Sequence, residues 1–186
     1  MAGTIFIAVL LIGLAFMFIY NQLIRYRLLV KEALSGIDVQ LKRRHDLIPK
    51  LVEAVKGYAK YEQGTFEKVT ALRNEIVNAK NSKINSEKEN DLSRAVKSIF
   101  AISENYPELK ANQSFIDLQK NISAVEDNLQ MARRYYNGTV RDYNVTVQSF
   151  PNSIVANIFH FEPQEFFEIE YATERSSPDI ELGGKQ

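Results

Sequence analysis

The chain begins with an apolar run and continues in a helical pattern. Residues 3–20 carry no charge and are mostly apolar, and from Leu23 onward apolar residues recur at steps of three and four. Before about residue 150 there is no strand-length stretch in which apolar and polar residues alternate. Helices repeat about every 3.6 residues and strands every two, so this pattern predicts an all-α fold.

The first apolar run is long enough to cross a membrane. Residues 3–20 reach the lower end of what a bilayer of roughly 30 Å requires, and the run lacks the polar face of a core helix. A cleaved signal peptide is the alternative, but no Lys or Arg precedes the run and no small-residue cleavage site follows it. We therefore expect a retained membrane anchor over residues 1–22, with the lipid bilayer as partner of residues 3–20.

The charges beside the anchor predict its orientation. Arg25, Arg27 and Lys31 follow the apolar run, and no Lys or Arg precedes it. Positive residues collect on the cytoplasmic side of membrane helices. We expect a single-pass protein with its N-terminus outside and its C-terminal body in the cytoplasm.

Three amphipathic stretches follow the anchor before residue 107. The first continues the anchor from Leu23 to Leu41, since no proline or turn cluster intervenes. The second is expected to begin near Pro49, where a missing N–H is harmless in a first turn, with Asp46 as a candidate cap. A polar loop over residues 81–90 separates it from the third stretch, which runs from Leu92 to Tyr106.

The fourth stretch has the most regular pattern. Its apolar residues alternate steps of three and four from Phe115 to Phe150, about five heptads, and Ser114 with Asp117 resembles a capping box. Short links between helices imply antiparallel neighbours. We therefore predict that the transmembrane helix continues into a long antiparallel up-and-down four-helix bundle over residues 23–150, with a coiled-coil-like seam.

The pattern changes after Phe150. Five of the eight phenylalanines outside the anchor fall in residues 150–167, and we expect residues 151–171 to pack back onto the bundle. An exposed aromatic cluster that contacts a partner or the membrane is the alternative. Residues 172–186 are expected to be a disordered acidic tail.

Composition disfavours most chemistry. The chain has no cysteine, two histidines, eight glycines and a net charge of zero, which excludes disulfides, thiol catalysis and Cys-based zinc sites. No phosphate loop, zinc-helix motif or nucleophile elbow is present. We expect no enzyme activity, no cofactor, no metal and no nucleic-acid partner.

Several ordered blocks resemble a known family. They read SGIDVQLKRRHDLIPKLVEAVKGYAKYE at 35–62, AISENYPELKAN at 101–112, ARRYYN at 132–137 and YNVTVQSFP at 143–151. Together with the leading apolar span they resemble the LemA family of bacterial membrane proteins. The resemblance implies an N-terminal anchor in the bacterial inner membrane, a cytoplasmic helical bundle and no established enzymatic activity. It also implies a loose association with membrane stress and with a membrane zinc protease, and one branch is tied to magnetosome membranes.

The densest charge cluster is Lys42, Arg43, Arg44, His45 and Asp46. On a straight helix Arg43 lies about 35 Å beyond the end of the anchor, too far to feel a lipid surface potential that decays over about 8 Å. We interpret the cluster as a structural hub, with an oligomer or partner contact as the alternative.

Asp38 lies close to this cluster in the sequence, and we group it with the structural hub. A pH switch at His45 is also open, since His titrates near neutrality, whereas a metal at His45 or His160 is disfavoured because no other histidine lies near in sequence.

A second candidate face lies on the fourth stretch. The pairs Tyr136-Asn137 and Tyr143-Asn144 are seven residues apart, and Arg133 belongs to the same block. Residues spaced by seven share a helix face, where Tyr and Asn can set packing register. We expect a packing or assembly face, with a ligand-binding face as the alternative.

These features favour a membrane-anchored, non-enzymatic scaffold that self-assembles into a homo-oligomer at the cytoplasmic membrane face. The alternative is an adaptor or regulator of a membrane protein partner, such as a membrane zinc protease in envelope stress. A third hypothesis is a small-ligand sensor, which requires a polar pocket near Asp38, Arg44 or Asn137.

Overall fold

The computed structural model describes residues 1–59, 62–78 and 86–167 of the 186-residue chain. No β-strand occurs in these ranges, and the predicted all-α fold is confirmed. The described residues form six α-helices: α1 (Ala2–Lys56), α2 (Gln63–Asn78), α3 (Ser86–Ser103), α4 (Pro107–Lys110), α5 (Gln113–Gln148) and α6 (Asn152–Ile158). The predicted acidic tail at 172–186 lies outside the described residues.

The predicted passage of the apolar helix into the bundle is confirmed, but this helix is longer than expected. α1 spans 55 residues, about 80 Å at 1.5 Å per residue. Pro49 lies inside α1 and not at the start of a second helix. The expected helix boundary near Pro49, with Asp46 as its cap, is therefore wrong. The break comes later, between Lys56 and the start of α2 at Gln63.

A neighbouring helix compensates for this internal proline. A proline removes one N–H and leaves the carbonyl four residues earlier without its usual donor. That carbonyl belongs to His45, and Nε of Arg73 in α2 donates to it at 3.4 Å. Because the replacement donor is distant in the sequence, no local pattern around Pro49 reveals it.

Two further boundaries differ from those predicted. The second half of the expected 81–90 loop is helical, since α3 begins at Ser86; residues 81–85 lie outside the described ranges. The cap of α5 is Asn112 and not Ser114, because Asn112 Oδ1 accepts hydrogen bonds from the backbone N–H groups of Ser114 at 2.9 Å and Phe115 at 3.3 Å. Asn112 also donates through Nδ2 to the Tyr58 hydroxyl at 3.1 Å, which joins this cap to the end of α1.

The long helices alternate in direction. Tyr58, just beyond the end of α1, meets Asn112 at the start of α5. Arg44, earlier along α1, meets Glu126, later along α5. α1 and α5 therefore run antiparallel along the rod. α2 returns beside α1, where Arg73 reaches His45, and α3 runs out again packed against α2. This order is up, down, up, down.

The bundle contains two apolar clusters. The distal cluster joins residues of α1, α2, α3 and α5, among them Ile48, Phe66, Ile99 and Phe115. The proximal cluster, next to the apolar span, is built from α1, α5, α6 and residues 161–167. α2 and α3 contribute to the distal cluster only. The rod is thus four helices thick far from the apolar span and essentially two helices thick close to it.

Candidate functional site

A polar layer lies between the two apolar clusters. It has Arg44 at its centre and contains His45, Glu89, Ser93 and Glu126. Leu41 belongs to the proximal cluster and Ile48 to the distal one, and Arg44 lies between them in the same α1 seam with 0% of its surface exposed. Its Nη1 donates to Ser93 Oγ at 2.6 Å and to Glu126 Oε1 at 3.1 Å. One guanidinium therefore connects α1 with α3 and α5.

The same guanidinium forms a salt bridge with a second buried charge. Nη2 of Arg44 donates to the carboxylate of Glu89, which is 2% exposed, and to the Glu89 carbonyl at 3.2 Å. His45 Nε2 lies 3.1 Å from the Glu89 carboxylate. Burial acts to raise the pKa of Glu89, but the hydrogen bond from His45 and the charges of Arg44 and His45 outweigh it and hold this pKa below its ordinary value.

A second buried arginine lies close to the layer. Arg133 of α5 is 6% exposed, and its guanidinium lies over the ring of Phe167 at 4.8 Å from the centroid. Among the described residues its Nε and Nη2 have no hydrogen-bond partner, and Gln40 Oε1 has none either. Burial and the nearby positive charge of Arg44 lower the pKa of Arg133. A buried arginine without full hydrogen bonding is costly. The Phe167 ring and the negative charges of Glu126 and Glu89 oppose this cost.

The structure divides the predicted 42–46 cluster. Arg44 and His45 face the bundle, whereas Lys42, Arg43 and Asp46 are exposed on α1. Within the described ranges these three side chains make no hydrogen bond or ion pair, and the same is true of Asp38, also exposed. A partner contact for these four residues stays a prediction.

The sequence pattern alone does not reveal the acidic half of the polar layer. The polar surroundings of Glu89 predict a loop, and neither Glu126 nor Ser93 belongs to a recognisable motif. One signal is available: Glu89 precedes Leu92 by three residues and so continues the steps of Leu92, Val96 and Ile99. A charged residue at an apolar seam position indicates a buried partner of opposite charge.

The predicted face on α5 holds an extended C-terminal segment, residues 161–167, which we call the strap. Asn144 Nδ2 donates to the Gln164 carbonyl at 2.9 Å, and its Oδ1 accepts from the Gln164 N–H at 2.8 Å. Asn137 repeats this pairing with Phe167 at 3.1 and 2.8 Å. Each side-chain amide thus pairs with the backbone as a neighbouring strand would.

Tyrosines of the same face complete the attachment. The Tyr136 hydroxyl donates to the Glu165 carbonyl at 3.1 Å, and Tyr143 is buried in the proximal cluster together with Phe161 and Phe167. The residues that the sequence groups on this face, with Arg133 among them, therefore share one intramolecular task. An assembly role for them stays a prediction.

The residues predicted to orient the anchor are all solvent-exposed. Arg25, Arg27 and Lys31 lie on α1 beyond the last residue of the apolar run, Tyr20. Among the described residues, α1 is the one helix that is long and apolar enough to cross a membrane. The rest of the protein does not bury its most apolar stretch of 18 residues.

The described residues contain no group of three or more His, Asp or Glu side chains placed to hold a metal ion. His160 is exposed and adopts φ 55°, where it ends α6 while the Phe161 N–H donates to the Ala156 carbonyl at 2.9 Å. A groove of about 670 Å³ lies along α2, beside Lys56, Phe66 and Asn74, away from the polar layer and the strap.

The fold and these two sites can be compared with known proteins. A model of the LemA family matches residues 33–182, a range that includes the polar layer, the strap, the distal cluster and most of the proximal cluster. The chain belongs to the LemA family. Membership and the apolar span of α1 together indicate a membrane protein.

Individual relatives resemble the chain over most of its length. Protein LemA of Metamycoplasma hominis is 28% identical over 178 residues, which cover 89% of this chain and 80% of that protein. Magnetosome protein MamQ of Magnetospirillum gryphiswaldense is 24% identical over 182 residues, covering 81% of this chain and 67% of that protein. Magnetosome protein MamQ 1 of Paramagnetospirillum magneticum is 23% identical over 183 residues with the same coverage.

Proposed function

We propose that this LemA-family protein is a non-enzymatic scaffold that self-assembles at the cytoplasmic face of the bacterial inner membrane. Residues 3–20 anchor it in the bilayer. Arg25, Arg27 and Lys31 place the body in the cytoplasm and the N-terminus outside, because positive residues favour the cytoplasmic side. The polar layer and the strap keep the rod rigid so that its outer faces can meet other copies.

The observation that carries this proposal is the exposed apolar surface of the proximal half. In this half α1 and α5 pack against each other, and α2 and α3 do not cover their other sides. Leu28 and Val39 of α1 are 60% and 50% exposed and lie about three helical turns apart along one face. Other large side chains in the same half are exposed as well: Leu34 of α1, and Met131, Tyr135 and Val145 of α5. Glu32 and Ser35 lie between Leu28 and Val39 on this face, and a contact that covers the exposed apolar side chains removes them from water.

A site-specific cross-linking experiment tests self-assembly. The chain lacks cysteine, so the variant Val39→Cys carries one thiol for a benzophenone label. Val77→Cys on α2 is the matched control, since Val77 is 49% exposed and Val39 50%. After reconstitution of the purified full-length protein into vesicles and illumination, we expect adducts of two chains from Val39→Cys and few from Val77→Cys.

The same label distinguishes the scaffold from the adaptor. Absence of self-adducts from both Val39→Cys and Leu28→Cys in vesicles contradicts self-assembly. If illumination in native membranes then joins Val39→Cys to a different membrane protein, the adaptor hypothesis replaces the scaffold.

Two similar proteins carry the name magnetosome protein, and a structural role at a membrane is compatible with that name.

A further inference from the structure

Two segments of the chain lack Asp, Glu, Lys and Arg over a long distance. The first is residues 1–24, which contains the apolar span. The second is residues 143–161, between Asp142 and Glu162. Because 25% of the chain is charged, a second charge-free segment of this length is unusual for a surface that faces water.

The fold places both segments at the same end of the rod. α5 runs back toward the apolar span, and the chain beyond it reaches the last turn of that span. The ring of Tyr20 contacts the ring of Phe159 at 4.8 Å and that of Phe161 at 5.9 Å between centroids. Ile19 is buried in the cluster that contains Val155 and Ala156 of α6. α6 therefore lies against residues of the span itself.

The outer side of this region is apolar and uncovered. Val155 and Ala156 face the bundle, while four large apolar side chains around them remain exposed. These are Phe150 at 82%, Ile158 at 55%, Phe159 at 52% and Ile154 at 46%. A short helix with apolar residues on both its inner and outer sides is suited to a position between protein and lipid.

We propose that residues 150–159 form a second membrane contact, which inserts its exposed side chains into the interfacial region of the bilayer beside α1. This inference rests on the proposed anchoring of residues 3–20. That span is about 27 Å long at 1.5 Å per residue, close to the hydrocarbon thickness of roughly 30 Å. Its last residues, Ile19 and Tyr20, then lie at the hydrocarbon boundary, and α6 lies beside them.

Lipid fits this surface better than a second protein chain. Continuity with the apolar span brings the exposed side chains to the level of the lipid headgroups and upper acyl chains. Tyr20 suits that depth, and phenylalanines such as Phe150 and Phe159 are typical of the apolar face of interfacial helices. The absence of charge over residues 143–161 avoids the cost of placing ions next to hydrocarbon.

Spin labels on single cysteines in the full-length protein, reconstituted in phosphatidylcholine and phosphatidylglycerol vesicles, test the contact. Ile158→Cys probes it, and Val77→Cys on α2, outside the proposed contact between copies, is the water-exposed control. Leu10→Cys is the control for the anchor. The three native residues are 55%, 49% and 54% exposed. The measurement compares label collision with oxygen, which concentrates in lipid, and with a water-soluble nickel complex.

We expect the oxygen-to-nickel accessibility ratio at Ile158→Cys to exceed that at Val77→Cys several-fold and to approach the value at Leu10→Cys. A ratio at Ile158→Cys equal to that at Val77→Cys, while Leu10→Cys reports lipid, overturns the second contact and leaves the anchor intact. Low accessibility to both reagents at Ile158→Cys indicates a protein occupant and also overturns it. Failure of Leu10→Cys to report lipid overturns the anchor itself.

Discussion

At the scale of single residues, Arg44 and Glu89 form the centre of a set of bonds that links three helices. Arg44 contacts groups of α3 and α5 from a fully buried position in α1. Buried charges are costly to desolvate, so such a pair adds stability only while both partners are present and bonded. The layer lies between the two apolar clusters, and we expect its bonds to oppose sliding of one helix along another.

Replacing Arg44 by Ala is therefore expected to be severe. The carboxylate of Glu89 would stay buried without its main partner, and such a loss costs about 3–5 kcal/mol. The neighbouring Arg43 is exposed, so Arg43→Ala is the control and should change stability by no more than about 0.5 kcal/mol. Urea unfolding of the full-length protein in mild detergent, followed by circular dichroism, measures both. Equal effects of the two substitutions would show that the polar layer does not stabilise the fold.

The layer also makes stability depend on pH in the acidic range. The pKa of Glu89 is lower in the folded protein than its ordinary value of 4.5. The unfolded chain therefore takes up the proton first, so the stabilisation is complete above pH 4.5 and is lost as the pH falls through the folded pKa. Glu89→Gln removes this dependence, and we expect its deficit in stability relative to the native protein to be largest near neutral pH and to shrink in the acidic range.

Melting temperatures measured from neutral pH down to about pH 3, below the ordinary pKa of a glutamate, check this expectation. Glu87→Gln is the control, because Glu87 is exposed in the same first turn of α3. A deficit for Glu89→Gln that stays constant down to the lowest pH would contradict the account of the pair.

At the scale of elements, the strap is held by side chains and not by a sheet or helix. Asn137 and Asn144 each donate one hydrogen bond to it and accept one from it. The spacing of seven places both amides on the same face of α5, in line with an extended backbone. The strap in turn covers the proximal cluster with Phe161 and Phe167.

Loss of one asparagine should loosen the strap locally. Asn144→Ala removes the acceptor of the Gln164 N–H, and Asn137→Ala removes that of the Phe167 N–H. Two hydrogen bonds of about 1 kcal/mol each are lost, so we expect amide exchange at the affected position to accelerate by roughly tenfold or more. Hydrogen–deuterium exchange of the full-length protein measures this. Asn121→Ala, an exposed position on α5, is the control, and matching exchange in all three variants would contradict the proposed attachment.

The helices themselves can largely be predicted from the sequence. The steps of three and four identify the path of α5 and the continuation of the apolar run into α1, because a buried seam imposes that spacing on the residues that form it. Helix ends are less accessible. The uninterrupted passage of α1 through Pro49 involves a contact with Arg73, and such a distant partner leaves no local pattern. The cap at Asn112 is local, but Ser114 two residues later offers a competing capping pattern.

The sequence predicts the α5 face that holds the strap better than it predicts the polar layer. Tyr136, Asn137, Tyr143 and Asn144 stand out because their spacing repeats, although the strap that they hold lies much further along the chain. Arg44 stands out as part of a charge cluster, but density of charge does not distinguish it from the exposed Arg43. Its partner Glu89 is missed, because the polar sequence around it resembles a loop. Only its position three residues before Leu92 indicates that it continues the buried side of α3.

At the scale of the whole molecule, the rod changes along its length. The distal half has four helices around a complete apolar core. The proximal half has two helices, a strap and exposed apolar residues such as Leu28, Val39 and Phe150. This asymmetry agrees with the two proposals made above. Lipid would cover the exposed apolar residues at α6, and further copies of the protein would cover those along α1 and α5.

The mass of the full-length protein in mild detergent tests the central claim, self-assembly at the membrane, most directly. Light scattering with correction for bound detergent should give a defined multiple of the 21.3 kDa chain. The double variant Leu28→Glu/Val39→Glu should shift it toward one copy, while Val77→Glu should not, because only the first places charge on the exposed proximal face of α1. A native protein that is strictly a single chain at every concentration would contradict the scaffold and direct the search toward a different membrane partner.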